Sequence, residues 1–299
     1  MAVPTASIVI PTHDRPSLLA LALRSALGSL PEGAEVVVVD DGSRPPAAAA
    51  MPADLAADAR LRVISRTQAG GAADARNAGV AAARGEVVFF LDDDDLLVPG
   101  YVAAVLARVA GDPALTWGFS PVLAHAEGTD AQTLAPVAAL EGAQASPPYS
   151  RRHLGGLGCG FWIRAAVFRA SGGIDAALRV NEDTEFCLRL LAAGHAPFIA
   201  DQAGVSLLRA TAAAQGQAGS VTRGARASDR AGYFARILDR HAAFLAGQPA
   251  LATHLRGRWI KMLVRAGQGR QAWAAARGTG EKALVAACWL GDHLRPVRR

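Results

Sequence analysis

The order of apolar and polar positions along the first two thirds of the chain predicts strands that alternate with helices. Consecutive Val, Ile and Phe are typical of strands buried on both faces, and leucines at helical spacing indicate helices between them. The predicted strands are ASIVIPT, AEVVVVDDGS, LRVISR and EVVFFLDDDD, and the predicted helices are RPSLLALALRSALGS, the short ADLAADA and GAADARNAGVAAARG. This alternation predicts an α/β fold with a mainly parallel sheet flanked by helices.

The pattern continues to about residue 205 and then changes. It predicts a helix in GYVAAVLARVAG, two strands around EGTD, a helix from about Asp183 in NEDTEFCLRLLAAGH, and a strand in APFIAD. After a polar linker, apolar residues recur at helical spacing at Tyr233, Phe234, Ile237, Leu238, Leu245, Leu251, Leu255, Trp259, Met262 and Leu263. We therefore expect an α/β domain over residues 1–205 and a helical C-terminal region over residues 206–299.

Charge separates the same two regions. Residues 1–205 contain 15 Arg against 22 Asp and Glu, whereas residues 206–299 contain 16 Lys and Arg against 4 Asp and Glu. The net charge of +5 hides this asymmetry. A basic C-terminal region favours an anionic partner, which on charge alone is nucleic acid, anionic lipid or a phosphate-bearing substrate. The alternative is a solvated basic helical face.

The cysteines and the apolar segments indicate the compartment. Cys159, Cys187 and Cys288 are far apart and show no Cys-x-x-Cys spacing, which argues against a disulfide framework or a zinc site. The first residues lack a signal peptide pattern, and no apolar run approaches the length of about 20 residues that crosses a bilayer. We expect a cytoplasmic protein.

Polar residues follow three of the predicted strands, at the point where each strand ends. These are THD after the first strand, DDGS after the second and DDDD after the fourth. Ligands of open parallel sheets bind at the carboxyl ends of the strands. The sequence therefore predicts a ligand site on one acidic edge of the sheet.

The four carboxylates from Asp92 to Asp95 repel one another unless something offsets their charge. If the strand continued through them, Asp92 and Asp94 would point to one side. Two such carboxylates suit Mg²⁺ or Mn²⁺, with a diphosphate as a further oxygen ligand. The alternative is a solvated acidic turn. The chain contains no G-x-G-x-x-G after the first strand, no phosphate-binding G-x-x-x-x-G-K-[ST] and no H-E-x-x-H.

Five segments in order and spacing resemble the family 2 glycosyltransferases. They are SIVIPTHDRPSLLALALRSAL, EVVVVDDGS, GAADARNAGVAAARGEVVFFLDDDDLLVPGYV, GGID and NEDTEFCLRLLAAGH, and the resemblance covers roughly residues 5–205. It implies a GT-A (Rossmann-like) fold, a nucleotide-diphosphate sugar donor and a divalent metal. It also implies transfer of the sugar, with inversion, to a hydroxyl of a glycan or lipid-linked acceptor.

The resemblance implies roles for the matching residues. Asp183 would be the catalytic base with Glu182 beside it, and Asp94 with Asp92 would bind the metal. The nucleotide sugar would be bound by Pro11, Thr12, Asp14, Arg15, Asp41, Arg76, Asp92 and Asp93. By residue type alone, Asp41 also suits a turn, and Asp183 also suits the N-cap of its helix. The segment where many members have a His lacks one. The candidates to replace it are Gln215, Gln217, Ser220, Thr222 and Arg223, and Arg223 would contact the diphosphate as a cation.

The favoured function is sugar transfer in bacterial cell-envelope polysaccharide synthesis. The segment RGRWIKMLVRAGQGRQAW mixes basic and aromatic residues, which is typical of helices lying on anionic membrane surfaces. We therefore expect peripheral membrane contact and no nucleic acid partner; the alternative for these helices is a cap on the catalytic domain. The competing functions are a non-catalytic nucleotide-sugar-binding scaffold and a sugar nucleotidyltransferase.

Overall fold

The computed structural model describes residues 6–125, 134–208 and 225–293. The chain divides into two compact units. The first, an α/β unit, consists of Met1–Ala145 and Gly155–Gly219, and the second, a helical unit, consists of Ser146–Leu154 and Ser220–Arg299. The helical unit thus takes in residues 146–154, which the predicted boundary at residue 205 assigns to the first domain. That boundary stays a prediction.

The α/β unit contains eleven strands and seven helices among its described residues. The strands are β1 Ala6–Thr12, β2 Glu35–Asp40, β3 Leu61–Ser65, β4 Val87–Phe90, β5 Asp95–Leu97, β6 Trp117–Phe119, β7 Val122–His125, β8 Gly142–Gln144, β9 Trp162–Arg164, β10 Phe198–Ala200 and β11 Val205–Leu208. The helices are α1 Pro16–Ser29, α2 Ala47–Ala50, α3 Ala53–Ala56, α4 Ala72–Ala82, α5 Tyr101–Gly111, α6 Ala165–Ala170 and α7 Glu182–Ala192.

The central sheet has eight strands in the order β3-β2-β1-β4-β9-β6-β10-β8. The first four are parallel to one another, and β9 is antiparallel to both of its neighbours. A second, three-stranded sheet has the order β5-β11-β7. This mainly parallel sheet with flanking helices confirms the predicted fold class.

The register of the parallel strands brings their carboxyl ends to one edge. Thr12 is opposite Asp40, and Asp40 is opposite Ser65. The next backbone hydrogen bonds, from Asp41 N to Thr12 O (2.9 Å) and from Leu91 N to Val9 O (3.1 Å), carry the pairing into the loops. The residues after β1, β2 and β4 therefore start from adjacent positions on the sheet edge.

The core explains why the parallel strands read as continuous apolar runs. All seven residues of β1 and all six of β2 are buried, and so are the four of β4. Strands covered on both faces lose the alternation of exposed and buried residues. Trp162 is fully buried in the same core, so it is a core aromatic and not a platform for a sugar.

One local prediction differs from the structure, and another falls partly outside the described residues. β4 ends at Phe90, and the chain turns at the aspartates before β5 instead of continuing the strand. Residues 126–133, which include EGTD, lie outside the described residues, and no strand follows them before β8.

The helical unit is built around α8 Ala227–Arg240, α9 Ala242–Ala246, α10 Pro249–Arg265, α11 Gly269–Ala275 and α12 Gly278–His293. Its core includes Phe234, Ile237, Leu251, Leu255, Ile260 and Leu263. Tyr149 joins this unit through its backbone N–H, which donates to Gln248 Oε1 at 2.7 Å. A helix that is both long and apolar enough to span a membrane is not found among the described residues.

Candidate functional site

The acidic run forms a turn between β4 and β5, and three of its four carboxylates converge. One carboxylate oxygen from each of Asp92, Asp94 and Asp95 lies within 4.8 Å of the others. The turn is closed by the backbone N–H of Asp95, which donates to Asp92 O at 3.2 Å. The convergence therefore comes from the turn, and not from alternation along a continued strand.

Asp93 is not part of this group, and it ties the turn to the end of β1. Its carboxylate accepts hydrogen bonds from Thr12 Oγ1 at 2.7 Å and from an Arg15 guanidinium nitrogen at 3.1 Å. The same nitrogen donates to Asp94 at 3.0 Å. Burial raises the pKa of Asp93 to about 6, although Thr12 and Arg15 oppose that rise. Asp93 therefore positions the turn.

Arg76 lies between the acidic turn and the start of α7. Its side chain is buried, and it donates to Asp92 Oδ1 at 2.5 Å while its other terminal nitrogen lies 3.7 Å from Glu182 Oε1. Burial alone would lower the pKa of Arg76, but Asp92 and Glu182 raise it, so the guanidinium stays charged. Its Nε has no hydrogen-bond partner among the described residues. A buried cation thus links two carboxylates that are 90 positions apart in the sequence.

Asp183 and Glu182 occupy the first turn of α7, where the helix dipole favours negative charge. Asp183 is not the N-cap: that position is Asn181, which has a φ of 64° and makes no side-chain cap bond. The pKa of Glu182 is raised to about 7, mainly by burial and also by the charges of Asp183 and Asp92, while Arg76 opposes the rise. Glu182 and Asp183 are both half-buried, so each carboxylate keeps some access to an incoming group.

A glycine-rich turn from Gly155 to Gly160 passes directly beneath these carboxylates. A Cβ built on Gly158 would lie under 3.0 Å from Asp92 Oδ2, and one on Gly156 would lie 3.8 Å from Asp183 Oδ2. The turn is held by the Tyr101 hydroxyl, which donates to Gly160 O at 2.6 Å. Glycine therefore gives the close backbone approach that brings the two carboxylates over one surface.

Cys159 lies in the same turn but is not a nucleophile. Burial raises the pKa of its thiol to about 11, and the charges of Asp92 and Asp183 contribute to the rise. Because the thiolate is the reactive form, the thiol is inert at neutral pH. The chemistry of the site is therefore carried by its carboxylates.

The ends of β1 and β2 are joined by a second set of hydrogen bonds. Asp14, at a φ of 55°, accepts from Arg44 N at 2.7 Å, and its own N–H donates to Ser43 Oγ at 3.0 Å. Asp41 accepts from Gly71 N at 2.7 Å, from Gly70 N and from Arg66 at 2.7 Å. The Asp41 carboxylate thus holds the loop after β3, and its contact with a nucleotide stays a prediction.

Comparison with known proteins gives the family. The model described as Glycosyl transferase family 2 matches residues 7–154, which include the acidic turn. The segment of residues 7–154 belongs to this family. An uncharacterized glycosyltransferase of Haemophilus influenzae is 27% identical over 187 residues, which are 62% of this chain and 61% of that protein. The succinoglycan biosynthesis protein ExoO of Rhizobium meliloti is 38% identical over 108 residues, which are 36% and 30% of the two chains.

The structural comparison supports the same fold. The S. aureus TarS 1–349 structure in complex with UDP-GlcNAc is 18% identical, with a TM-score of 0.58, and the match covers 96% of this chain and 80% of that one. At this identity the likeness shows the fold alone. The chain spans less than two thirds of the length of these two curated relatives.

The carboxylates of the acidic turn fit a divalent metal. Three carboxylates supply converging oxygens, which are the ligands that Mg²⁺ and Mn²⁺ prefer. Asp92 and Asp94 are the residues that were predicted to bind the metal. Asp95 also contributes an oxygen to this group, and it was not predicted. The only feature of the sequence that pointed to Asp95 was its place in the run of four aspartates. Gly158 was missed as well, because nothing in the sequence shows which glycine approaches a carboxylate.

The structure leaves other predicted residues without a test. Pro11, Thr12, Asp14 and Arg15 lie at the end of β1 or just beyond it, on the acidic edge of the sheet. Their contacts with a nucleotide stay predictions. Arg223, the candidate for the diphosphate contact, lies outside the described residues.

Proposed function

We propose that this chain transfers a sugar, with inversion, from a nucleotide-diphosphate sugar to a hydroxyl of a glycan or lipid-linked acceptor. The observation that carries the proposal is the joint placement of two carboxylate groups. The converging Asp92, Asp94 and Asp95 lie on one side of buried Arg76, and the α7 carboxylates lie on the other. One group suits the leaving diphosphate, and the other suits the attacking hydroxyl.

The acidic turn would bind the donor. Asp92, Asp94 and Asp95 would hold Mg²⁺ or Mn²⁺, and such a cation, when bound, stabilises the charge that develops on the departing diphosphate. Thr12 and Arg15 fix the shape of the turn through Asp93 before any ligand arrives. A site whose groups are held in place costs less reorganisation during the reaction.

Asp183 would act as the base. A hydroxyl is a weak nucleophile, so its proton passes to a carboxylate as the new bond to the anomeric carbon forms. The bond from that carbon to the diphosphate oxygen breaks on the opposite side, which inverts the configuration. Glu182 is the less suitable base, because its carboxylate is paired with the guanidinium of Arg76 at 3.7 Å. It would instead position the donor sugar or the acceptor.

The relatives support the same class of donor and acceptor. ExoO is a succinoglycan biosynthesis protein, and the related TarS structure contains UDP-GlcNAc. Both come from bacteria, in keeping with our proposal of a role in cell-envelope polysaccharide synthesis. The sugar and nucleotide of the present chain are left to the experiment.

Binding of UDP, GDP, dTDP and CMP, measured by calorimetry with and without Mn²⁺, tests the proposal. We expect one nucleotide to bind tightly, and its binding to be lost without metal and in Asp94→Ala. Asp112→Ala, which removes a carboxylate from the loop after α5, is the matched control and should bind as wild type does. If none of the four nucleotides binds, with or without Mn²⁺, the proposal is wrong. Binding without transfer to any acceptor would favour the scaffold function.

A further inference from the structure

The helical unit exposes large apolar side chains in one region. Five large hydrophobic residues are exposed in the described part of the chain, and Trp273, Trp289 and Leu290 are three of them. Each of the three is 52% exposed. They belong to α11 and α12, the last two helices of the described chain. Exposed aromatic residues that cluster in this way mark an interaction surface.

Both tryptophans line one open groove of about 700 Å³. Its lining residues are Val264, Gly267, Gly269, Arg270, Trp273, Val285 and Trp289. Lys282 adds a second cation, since its ammonium lies 5.5 Å from the centre of the Trp273 ring. Leu290 follows Trp289 directly in the chain. We call Arg270, Trp273, Lys282, Trp289 and Leu290 together the Trp273–Trp289 surface.

Basic residues outnumber acidic residues around this surface. Residues 249–293 contain seven Lys and Arg against two acidic residues, Glu281 and Asp292. Glu281 is already paired, because its carboxylate accepts two hydrogen bonds from Arg256, each at 2.9 Å. The region therefore combines a net positive charge with exposed tryptophan.

We propose that the Trp273–Trp289 surface docks on a bilayer surface that contains anionic phospholipids. Tryptophan places its ring at the level of the headgroups, and Arg and Lys meet the negative surface potential of the membrane. The contact is with the interface of the bilayer, where basic residues and tryptophan rings of amphipathic helices are found. The inference deepens the proposed function, on which it rests for the lipid-linked or envelope acceptor. Vesicle binding and nucleotide binding are separate measurements, so either can fail alone.

The test is co-flotation of the full chain with vesicles of phosphatidylcholine, alone or mixed with phosphatidylglycerol. We expect binding only to the mixed vesicles and loss of binding at high salt. The double variant Trp273→Ala/Trp289→Ala should bind about ten-fold more weakly or worse, because it loses both aromatic anchors. Arg270→Gln/Lys282→Gln should weaken binding and reduce its salt dependence. Leu21→Ala, which removes an exposed leucine of α1 in the other unit, is the matched control and should bind as wild type does.

Insertion of the rings provides a second readout that does not depend on flotation. Brominated lipids should quench part of the tryptophan fluorescence of wild type, whereas Trp117 and Trp162 are fully buried and beyond reach, and Trp259 is half-buried. In Trp273→Phe/Trp289→Phe most of that quenching should disappear. Equal binding to both kinds of vesicle, no binding to either, or an unchanged alanine double variant would overturn the proposal. A dimer in solution that the alanine double variant abolishes would overturn it too, because the surface would then cover a second copy of the chain.

Discussion

Replacing Gly158 with alanine tests the geometry of the acidic turn more directly than removing an aspartate. The new Cβ would lie under 3.0 Å from Asp92 Oδ2 and 3.0 Å from Asp92 Cγ. The backbone itself tolerates alanine, because Gly158 is not among the residues with positive φ. The perturbation therefore acts on the Asp92 carboxylate, while every aspartate is retained.

The size of the displacement follows from the contact distances. Ordinary contact of a Cβ begins at 3.4 Å, so Asp92 must withdraw by at least about 0.4 Å. Metal–ligand distances hold within about 0.2 Å, so the shift exceeds what a coordinated carboxylate tolerates. Disturbed support of a metal ligand typically costs about 10- to 100-fold in affinity. We expect a loss of that size in metal-dependent nucleotide binding.

Calorimetric titration of the preferred nucleoside diphosphate with Mn²⁺ measures the effect. Gly28→Ala is the matched control, because a Cβ there meets no atom within 4 Å on the exposed side of α1. It should leave nucleotide binding unchanged and raise the free energy of unfolding by roughly 0.5–1 kcal/mol. Wild-type affinity and metal dependence in a folded Gly158→Ala protein would refute the placement of Asp92 in the metal site.

Two further predictions concern the base and the stability of the sheet. Asp183→Asn should keep nucleotide binding and slow sugar transfer by about 10²- to 10⁴-fold, because it removes the proton acceptor. Nucleotide titrations measure the binding, and initial rates measure the transfer. Near-normal turnover would show that another group is the base. Glu35→Gln should lower the free energy of unfolding by about 1–3 kcal/mol at neutral pH in urea denaturation, because buried Glu35 accepts hydrogen bonds from Ser7 Oγ, Arg84 N and Arg62. Burial alone would raise the pKa of Glu35, but those donors lower it below 4.5. The contribution of the Glu35 carboxylate to the free energy of unfolding is therefore present above pH 4.5 and is lost as the pH falls through the lowered pKa. An equal gap between wild type and variant at neutral and strongly acidic pH would contradict this assignment.

Local pattern was sufficient for the first half of the α/β unit. The strands β1 to β4 and the helix α1 were predicted from apolar runs and leucine spacing, and α4 was predicted from an Ala-rich segment. Every residue of β1, β2 and β4 is buried, so these strands appear in the sequence as continuous apolar runs. The start of α7 was predicted to within one residue. The strands of the second half were harder to predict from the sequence. β6, β8, β9 and β10 have only three residues each, and they pair with strands that are distant in the sequence. No local periodicity encodes such pairing.

The sequence by itself determined that the carboxylates follow the strands, and parallel pairing then brought them to one edge of the sheet. It did not distinguish the four aspartates, since each is the same residue in the same run. Only the tertiary structure decided that Asp93 turns to Thr12 and Arg15 while Asp92, Asp94 and Asp95 converge. Likewise, only folding brings Arg76 between Asp92 and Glu182. A buried charge is tolerated where opposite charges lie beside it. Tertiary packing, and not the spacing of residues in the sequence, decides which carboxylates lie beside Arg76.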